Sequence, residues 1–282
     1  MLFDSHAHIN NETYSKQDRE ALIQDIEASD LSYVMDIGFD LASSVQAVKD
    51  AAEHPWCYAV VGVHPSETSA MDEETLEMIE GLTKKDKVMA IGEIGLDYHY
   101  DDTDRETQQI WFRKQIQLAN KLKMPIVIHT READDDTMRI LKEEGAFAAE
   151  RASWFPKRKG PASAEFPEGE LLSDCRVLMH CFSSSKEIAR QYIKLGATLS
   201  IAGPVTYKNN RRTIEVVEET PIEFLLVETD APYLTPVPYR GKPNKSPYVQ
   251  FTARKVAEVK HMSYEEVAAR TMENAKAFFR IK

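Results

Sequence analysis

Eight short apolar runs recur along this chain, separated by longer stretches of helical periodicity, and that alternation leaves few architectures open. The runs fall at residues 2–8, 33–38, 57–64, 88–93, 126–129, 176–180, 197–201 and 223–230. Two of them, Val88-Met89-Ala90-Ile91 and Phe224-Leu225-Leu226-Val227, are continuously apolar, the pattern of strands covered on both faces and hence paired in parallel. Between the runs, Asp104 can cap a helix that carries Phe112, Ile116 and Ala119 on one face, and Ser263-Tyr264-Glu265-Glu266 opens another as a capping box. Either a doubly wound open sheet or a TIM (β/α)8 barrel produces such alternation, and eight strands favour the barrel. A single domain spanning residues 1–282 accommodates the pattern. Its rhythm breaks at 145–174, an aperiodic stretch expected to be a long loop inserted before the sixth strand.

Charge and cysteine usage narrow the setting. A formal net charge of -11 argues against broad electrostatic capture of nucleic acid, so any phosphate-bearing substrate must be held locally. The 3 cysteines are too few and too scattered for a disulfide framework or a thiolate zinc site, which fits a reducing compartment. No apolar run approaches the roughly 18–20 residues needed to span a bilayer, and the first residues lack signal-peptide character. The expectation is a cytoplasmic protein with no membrane association and no obligate protein partner.

Chemistry concentrates at the strand ends. His6, His8, His64, His129 and His180 all lie at or next to the C-terminal end of an expected strand, and Glu93 and Asp230 close two others. In a barrel of this type the active site occupies that mouth. Strand alternation turns His6 and His8 toward the same side. Alone, such a pair is equally compatible with two half-buried, hydrogen-bonded imidazoles; joined by His129, His180, Glu93 and Asp230 at similar depth, it points to metal. Six donors exceed what one tetrahedral ion needs, so two divalent ions bridged by a carboxylate are expected. Glu93 is the candidate bridge, with His6, His8 and Asp230 on one ion and His129 and His180 on the other.

These residues sit in longer motifs. Phe3-Asp4-Ser5-His6-Ala7-His8, Gly62-Val63-His64-Pro65, Gly92-Glu93-Ile94-Gly95-Leu96-Asp97-Tyr98, Val127-Ile128-His129-Thr130-Arg131, His180-Cys181-Phe182-Ser183 and Glu228-Thr229-Asp230-Ala231-Pro232-Tyr233-Leu234 follow one another along the chain. Together they resemble the TatD family of metal-dependent deoxyribonucleases, within the amidohydrolase superfamily. The resemblance implies a TIM-barrel hydrolase with a binuclear centre, acting as a 3'-to-5' exonuclease on DNA, single strands or 3' ends in particular. Carried over position by position, it places the metal ligands at His6, His8, Glu93, His129, His180 and Asp230. Three departures stand out: the 145–174 stretch is long, Phe182-Ser183-Ser184-Ser185 stands where Phe-Ser-Gly-Ser is usual, and His99 replaces a Tyr or Phe.

For such a reaction Asp230 and Glu93 are the expected catalytic carboxylates. Glu228, on the same face as Asp230 by alternation, is a further candidate to orient or deprotonate water. His64, as a protonated donor, and Arg131, by bidentate hydrogen bonding, are expected to hold phosphate. Between residues 205 and 260, 9 Lys or Arg outnumber 7 acidic residues. Lys208 and Arg240 from that mildly basic segment are further candidates to bind substrate. Ligand softness suits zinc, manganese, iron or nickel, whereas magnesium prefers oxygen; because the resemblance implies magnesium-dependent nucleases, the two divalent ions stay open among magnesium, manganese and zinc. Two other functions stay open: the same centre cleaving an ester or amide such as D-aminoacyl-tRNA, and a metal-binding scaffold without turnover.

Overall fold

The computed structural model describes residues 1–100, 103–165, 167 and 169–282. Its main sheet has eight strands: β1 (Leu2–Ala7), β2 (Leu31–Ile37), β3 (Cys57–Val61), β4 (Val88–Asp97), β5 (Ile126–Arg131), β6 (Val177–Met179), β7 (Thr198–Ile201) and β8 (Leu225–Val227). Each strand pairs in parallel with the next in chain order. The ring then closes on itself, which separates a barrel from an open sheet. Past the end of β8, Ala231 bridges Ala7, the Asp230 amide donates to the His6 carbonyl at 2.9 Å, and the His8 amide donates to the Ala231 carbonyl at 2.8 Å. Buried side chains lock the seam: Asp4 accepts from the Thr229 amide at 2.8 Å and its hydroxyl at 2.6 Å, and Ser5 donates to the Val227 carbonyl at 3.0 Å.

Helices surround the sheet where the sequence signals place them. Asp104 caps Arg105–Leu122 by accepting the Thr107 amide at 2.9 Å, and Ser263 caps Tyr264–Phe279 by accepting the Glu266 amide at 3.1 Å. Phe112, Ile116 and Ala119 are buried in the layer between helices and sheet. Inside the ring, Phe3, Met35, Val60, Ala90, Val127, Leu178 and Leu226 form a separate apolar cluster with Phe278 and Phe279 of the last helix. Phe279 stacks on Phe3 at 6.0 Å between centroids, so the apolar filling sits toward the N-terminal ends of the strands. The opposite mouth is left to polar groups. Among the described residues no helix is long and apolar enough to cross a membrane.

Inward-facing positions follow simple alternation on β5 and β6, where Val127 leads to His129 and Leu178 to His180. On β4 they do not. Ala90 faces in, Ile91 and Ile94 both face the helices, and the pairing with β5 shifts register between them. That shift turns Glu93 and Asp97 inward. It also needs Gly95, whose φ is +151° and whose missing Cβ would overlap the His129 carbonyl oxygen. Gly95→Ala is therefore expected to destabilise the fold by about 3 kcal/mol or more, because both backbone strain and overlap with a neighbouring strand must be relieved. Urea unfolding of the variant against wild type measures this; a midpoint unchanged would show that β4 and β5 can part without cost.

The 145–174 stretch departs from the expected long loop. It carries a short helix, Ala149–Ser153, and an antiparallel pair of two-residue strands, Arg158–Lys159 and Leu171–Leu172; residues 166 and 168 within it lie outside the described residues. The helix is anchored by Arg151, 1% exposed, which donates to the Cys175 carbonyl at 2.8 Å, the Asn120 side chain at 2.6 Å and the Met124 carbonyl at 2.8 Å. A helix this short and strands of two residues are too brief to leave a period in the sequence. Strand ends differ too. β3 stops at Val61, β6 at Met179 and β8 at Val227, so His64, His180 and Asp230 stand on loops just past their strands.

Candidate metal centre

Five strand ends and the loops beyond them bring the six expected donors to one place. His6 Nε2 lies 3.3 Å from His8 Nε2, 3.4 Å from Glu93 Oε2 and 3.7 Å from Asp230 Oδ1, and His8 Nε2 lies 3.5 Å from Asp230 Oδ1. Across Glu93, Oε1 lies 2.9 Å from His129 Nδ1 and 2.8 Å from His180 Nε2, and those two nitrogens are 3.3 Å apart. One carboxylate thus presents Oε2 to His6 and His8, and Oε1 to His129, His180 and, at 3.8 Å, His64. Ligands about 2.1 Å from a common ion stand roughly 3.4 Å apart in a tetrahedral array, so the spacing of His6, His8 and Asp230 is that of donors around an ion. Among the described residues the buried His6 Nδ1 has no hydrogen-bond partner, and the His6 and His180 rings stack at 3.9 Å. Such a donor set suits divalent ions, and these residues fit the group the sequence implies.

Each imidazole is aimed by a partner behind it. His8 Nδ1 is 2.8 Å from the Ile37 carbonyl, and His129 Nε2 is 2.9 Å from Asp97 Oδ2. Backing carboxylates and carbonyls of this kind fix ring orientation and tautomer in metal sites. Asp97 has no role in the sequence reading, although its position four residues after Glu93 on a strand is the signal that it shares the inward face. Asp36 is likewise unanticipated. Fully buried, it accepts the Ile9 amide at 2.9 Å and the Asn10 amide at 3.2 Å, holding the turn that follows His8.

The electrostatics follow from this crowding. Burial alone would raise the Glu93 carboxyl, yet His180, His6 and His64 hold it well below the usual range. Burial opposes charge on His180 and His129, but Glu93 and Glu228 raise the first, and Asp97 and Glu93 the second. His6 moves down, through burial and the neighbouring His180. The cluster thus concentrates carboxylate charge that calls for positive charge beside it.

Glu228 does not stand with Asp230. The strand ends at Val227 and Asp230 adopts a φ of +58°, so alternation does not carry across the three residues. Glu228 is fully buried beneath His180, with Oε1 3.4 Å from His180 Nδ1 and accepting the Cys181 amide at 2.6 Å. Its place is behind a histidine, away from the open mouth. His64 joins the cluster, with Nε2 3.8 Å from Glu93 Oε1, and also caps the turn after it by accepting the Ser66 amide on Nδ1 at 3.1 Å. Burial and His129 lower its pKa to about 3, which favours the neutral ring.

Of the three cationic candidates, Arg131 is exposed at the end of β5 with its guanidinium 5.0 Å over the Tyr100 ring. Its acidic neighbours are engaged elsewhere, Glu132 with His99 at 2.6 Å and Asp134 with Ser184 at 2.5 Å. Arg240 packs 4.1 Å over Tyr207 in the loops after β7 and β8. Lys208 is exposed and lines a surface pocket with Arg211 and Lys255 whose walls include none of the histidines. Two exposed aromatics were not anticipated: Tyr233, 54% exposed with its ring 6.3 Å from His8, and Tyr100, 53% exposed beside Arg131.

A closed ring of eight parallel strands, with imidazoles and carboxylates gathered at its C-terminal mouth, defines a metal-dependent hydrolase built on a β/α barrel. Comparison with known proteins narrows that class. The family model described as TatD related DNase matches residues 3–280, and the chain belongs to the TatD family. It is 42% identical over 281 residues to an uncharacterized metal-dependent hydrolase of Bacillus subtilis, YabD, with 100% of both chains covered. It is 29% identical over 288 residues to the 3'-5' ssDNA/RNA exonuclease TatD of a Pantoea strain, covering 99% of this chain and 100% of that one. The crystal structure of a TatD homologue from Escherichia coli, YJJV, superposes with a TM-score of 0.84 at 24% identity, over 100% of this chain and 98% of the other, and shares its fold.

Proposed function

We propose that the protein is a deoxyribonuclease of the TatD type, removing nucleotides from the 3' end of single-stranded DNA with water activated at two divalent ions. The observation that carries this reading is Glu93, whose Oε2 faces His6 and His8 while its Oε1 lies within 3 Å of both His129 and His180. His6, His8 and Asp230 would hold one ion, His129 and His180 the other, and Glu93 would bridge them. Magnesium, manganese or zinc bound there supplies Lewis acidity toward a phosphoryl oxygen and lowers the pKa of water. Asp230 is the donor carboxylate whose side chain reaches solvent, 14% exposed against 4% for Glu93, and it takes the proton of the attacking water. As the water oxygen bonds to phosphorus, the bond from phosphorus to the 3' oxygen breaks, and that oxygen takes a proton from solvent.

His64 donates from Nε2 toward the phosphate, and Arg131 offers its two-pronged guanidinium at the rim. Glu228 and Asp97 are positioning residues, acting through His180 and His129. Tyr233 and Tyr100 give unpaired bases a stacking surface on either side of the mouth. The 3 cysteines are free thiols, which accords with a cytoplasmic setting.

Base stacking is worth about 1–3 kcal/mol per base, so Tyr233→Ala is expected to raise KM for a single-stranded oligonucleotide roughly 10-fold. Hydrolysis of a small chromogenic phosphodiester should stay as it is. Equal loss on both substrates would place Tyr233 in the chemistry instead of the binding of bases. The reading as a whole is tested by metal analysis of the purified protein and by digestion of 5'-labelled single-stranded DNA with manganese or magnesium. About two ions per chain and a ladder shortening from the 3' end are expected. Turnover of D-aminoacyl-tRNA or a carboxylic ester, with DNA left intact, would overturn it.

A further inference from the structure

The end of the barrel opposite the histidines holds a second feature. Where the strands begin, Arg176 precedes β6, Thr198 opens β7 and Glu223 precedes β8; the 145–174 segment and the last turn of the C-terminal helix cover this end and leave a cavity of about 710 Å³. Among the described residues lining it, 8 are Lys or Arg and 3 are Asp or Glu, on a chain whose net charge is -11. Two of the three acids are already engaged. Asp174 Oδ2 lies 3.0 Å from Arg158 Nη2 and 3.1 Å from Arg176 Nε, and Glu223 lies 2.5 Å from Arg270.

Among the cations around them, Arg176 is left short of a partner. Arg176 is only 3% exposed, and its Nη1 has no hydrogen-bond partner among the described residues. A buried guanidinium with an unused donor carries the full cost of its desolvation. Burial lowers the pKa of Arg176, and the guanidinium groups of Arg158 and Arg280 press it further down while Asp174 supports it. Lys276, Arg280 and Lys282 line the same space from the C-terminal helix and the residues after it, and burial lowers Arg280 as well. Evolution of a stable acidic protein has no packing reason to gather like charges around an open volume; an anion entering it would relieve both the repulsion and the orphaned donor.

We propose that this cavity is a second ligand site, separate from the metal centre, which takes a small polyphosphate anion of the pyrophosphate or nucleoside polyphosphate type. Its volume lies within the roughly 300–1,000 Å³ of small-molecule pockets, which suits a compact ligand better than a nucleic acid strand. Forked guanidinium groups match phosphate oxygens in pairs. Eight cations around one volume, against three acids among the described residues, favour a ligand with several negative charges over a single carboxylate.

Calorimetric titration of the full chain with pyrophosphate, and separately with ATP, tests the assignment with EDTA present so that no ion occupies the histidine cluster. One saturable site per chain is expected, weakening as salt rises. Arg280→Glu, a charge reversal at an exposed position, should weaken binding at least tenfold without changing metal-dependent hydrolysis or Tm. Arg176→Lys keeps the charge but loses the fork, and should weaken it too; should that variant fail to fold, Arg280→Glu decides. Three results would overturn the proposal: no saturable binding at millimolar pyrophosphate, equal affinity in wild type and Arg280→Glu, or displacement of pyrophosphate by single-stranded oligonucleotides but not by ATP.

Discussion

Glu93→Ala is expected to lower metal-dependent phosphodiester cleavage by roughly 10³-fold, several kcal/mol of transition-state stabilisation, and to cut the metal bound per chain. The size follows from what the carboxylate touches. Its Oε2 is 3.4 Å from His6 and 3.8 Å from His8, while Oε1 is within 3 Å of both His129 and His180. Removing it leaves four imidazoles facing a gap, with no negative charge between the two halves of the site. Metal analysis of the variant by mass spectrometry, alongside its cleavage rate, measures both effects. A variant that keeps its full metal content and its rate would show that Glu93 joins nothing, and that cleavage arises elsewhere.

Asp230→Asn is expected to lower the rate by about 10²- to 10⁴-fold, the usual range when a positioned base is lost, with a smaller loss of metal than Glu93→Ala causes. The amide keeps the shape of the side chain, and its oxygen can still approach His6 and His8, from which the carboxylate lies 3.7 and 3.5 Å away. What it cannot do is accept a proton from water. Single-turnover cleavage at saturating manganese separates the two contributions: a rate restored by added metal would make Asp230 a ligand alone, and a rate that stays low with full occupancy would make it the base. Glu228→Gln provides the contrast. Because Glu228 reaches the site only through His180, its change should act on metal affinity by about 10- to 100-fold, and excess metal should rescue it.

The alternation of apolar runs carried the fold, because strands covered on both faces and amphipathic helices each leave a period in the sequence. Single-residue alternation was reliable where strands stayed regular, as from Val127 to His129 and from Leu178 to His180. It fails where the backbone does not. On β4, extrapolating from Ala90 would turn Glu93 toward the helices; the register shift between Ile91 and Ile94 reverses this, and nothing in the local residue types marks its place except the glycines on either side of Glu93 and Ile94. On β8 the same extrapolation joins Glu228 to Asp230, whereas past the end of the strand, with a left-handed turn at Asp230, Glu228 sits at His180 Nδ1 and Asp230 beside His6 and His8. The basic cavity was invisible for another reason: Arg280 lies over a hundred residues of chain from Arg158 and Arg176, and the three meet only through the tertiary fold.

The seam between β8 and β1 has a consequence for biosynthesis. His6 and His8 leave the ribosome some two hundred residues before their partner Asp230, and the same backbone hydrogen bonds that bring it in are those that shut the ring. A nascent or truncated chain therefore cannot assemble a working centre from its early strands. The nuclease proposed for this protein would be silent until the segment carrying Asp230 has been made.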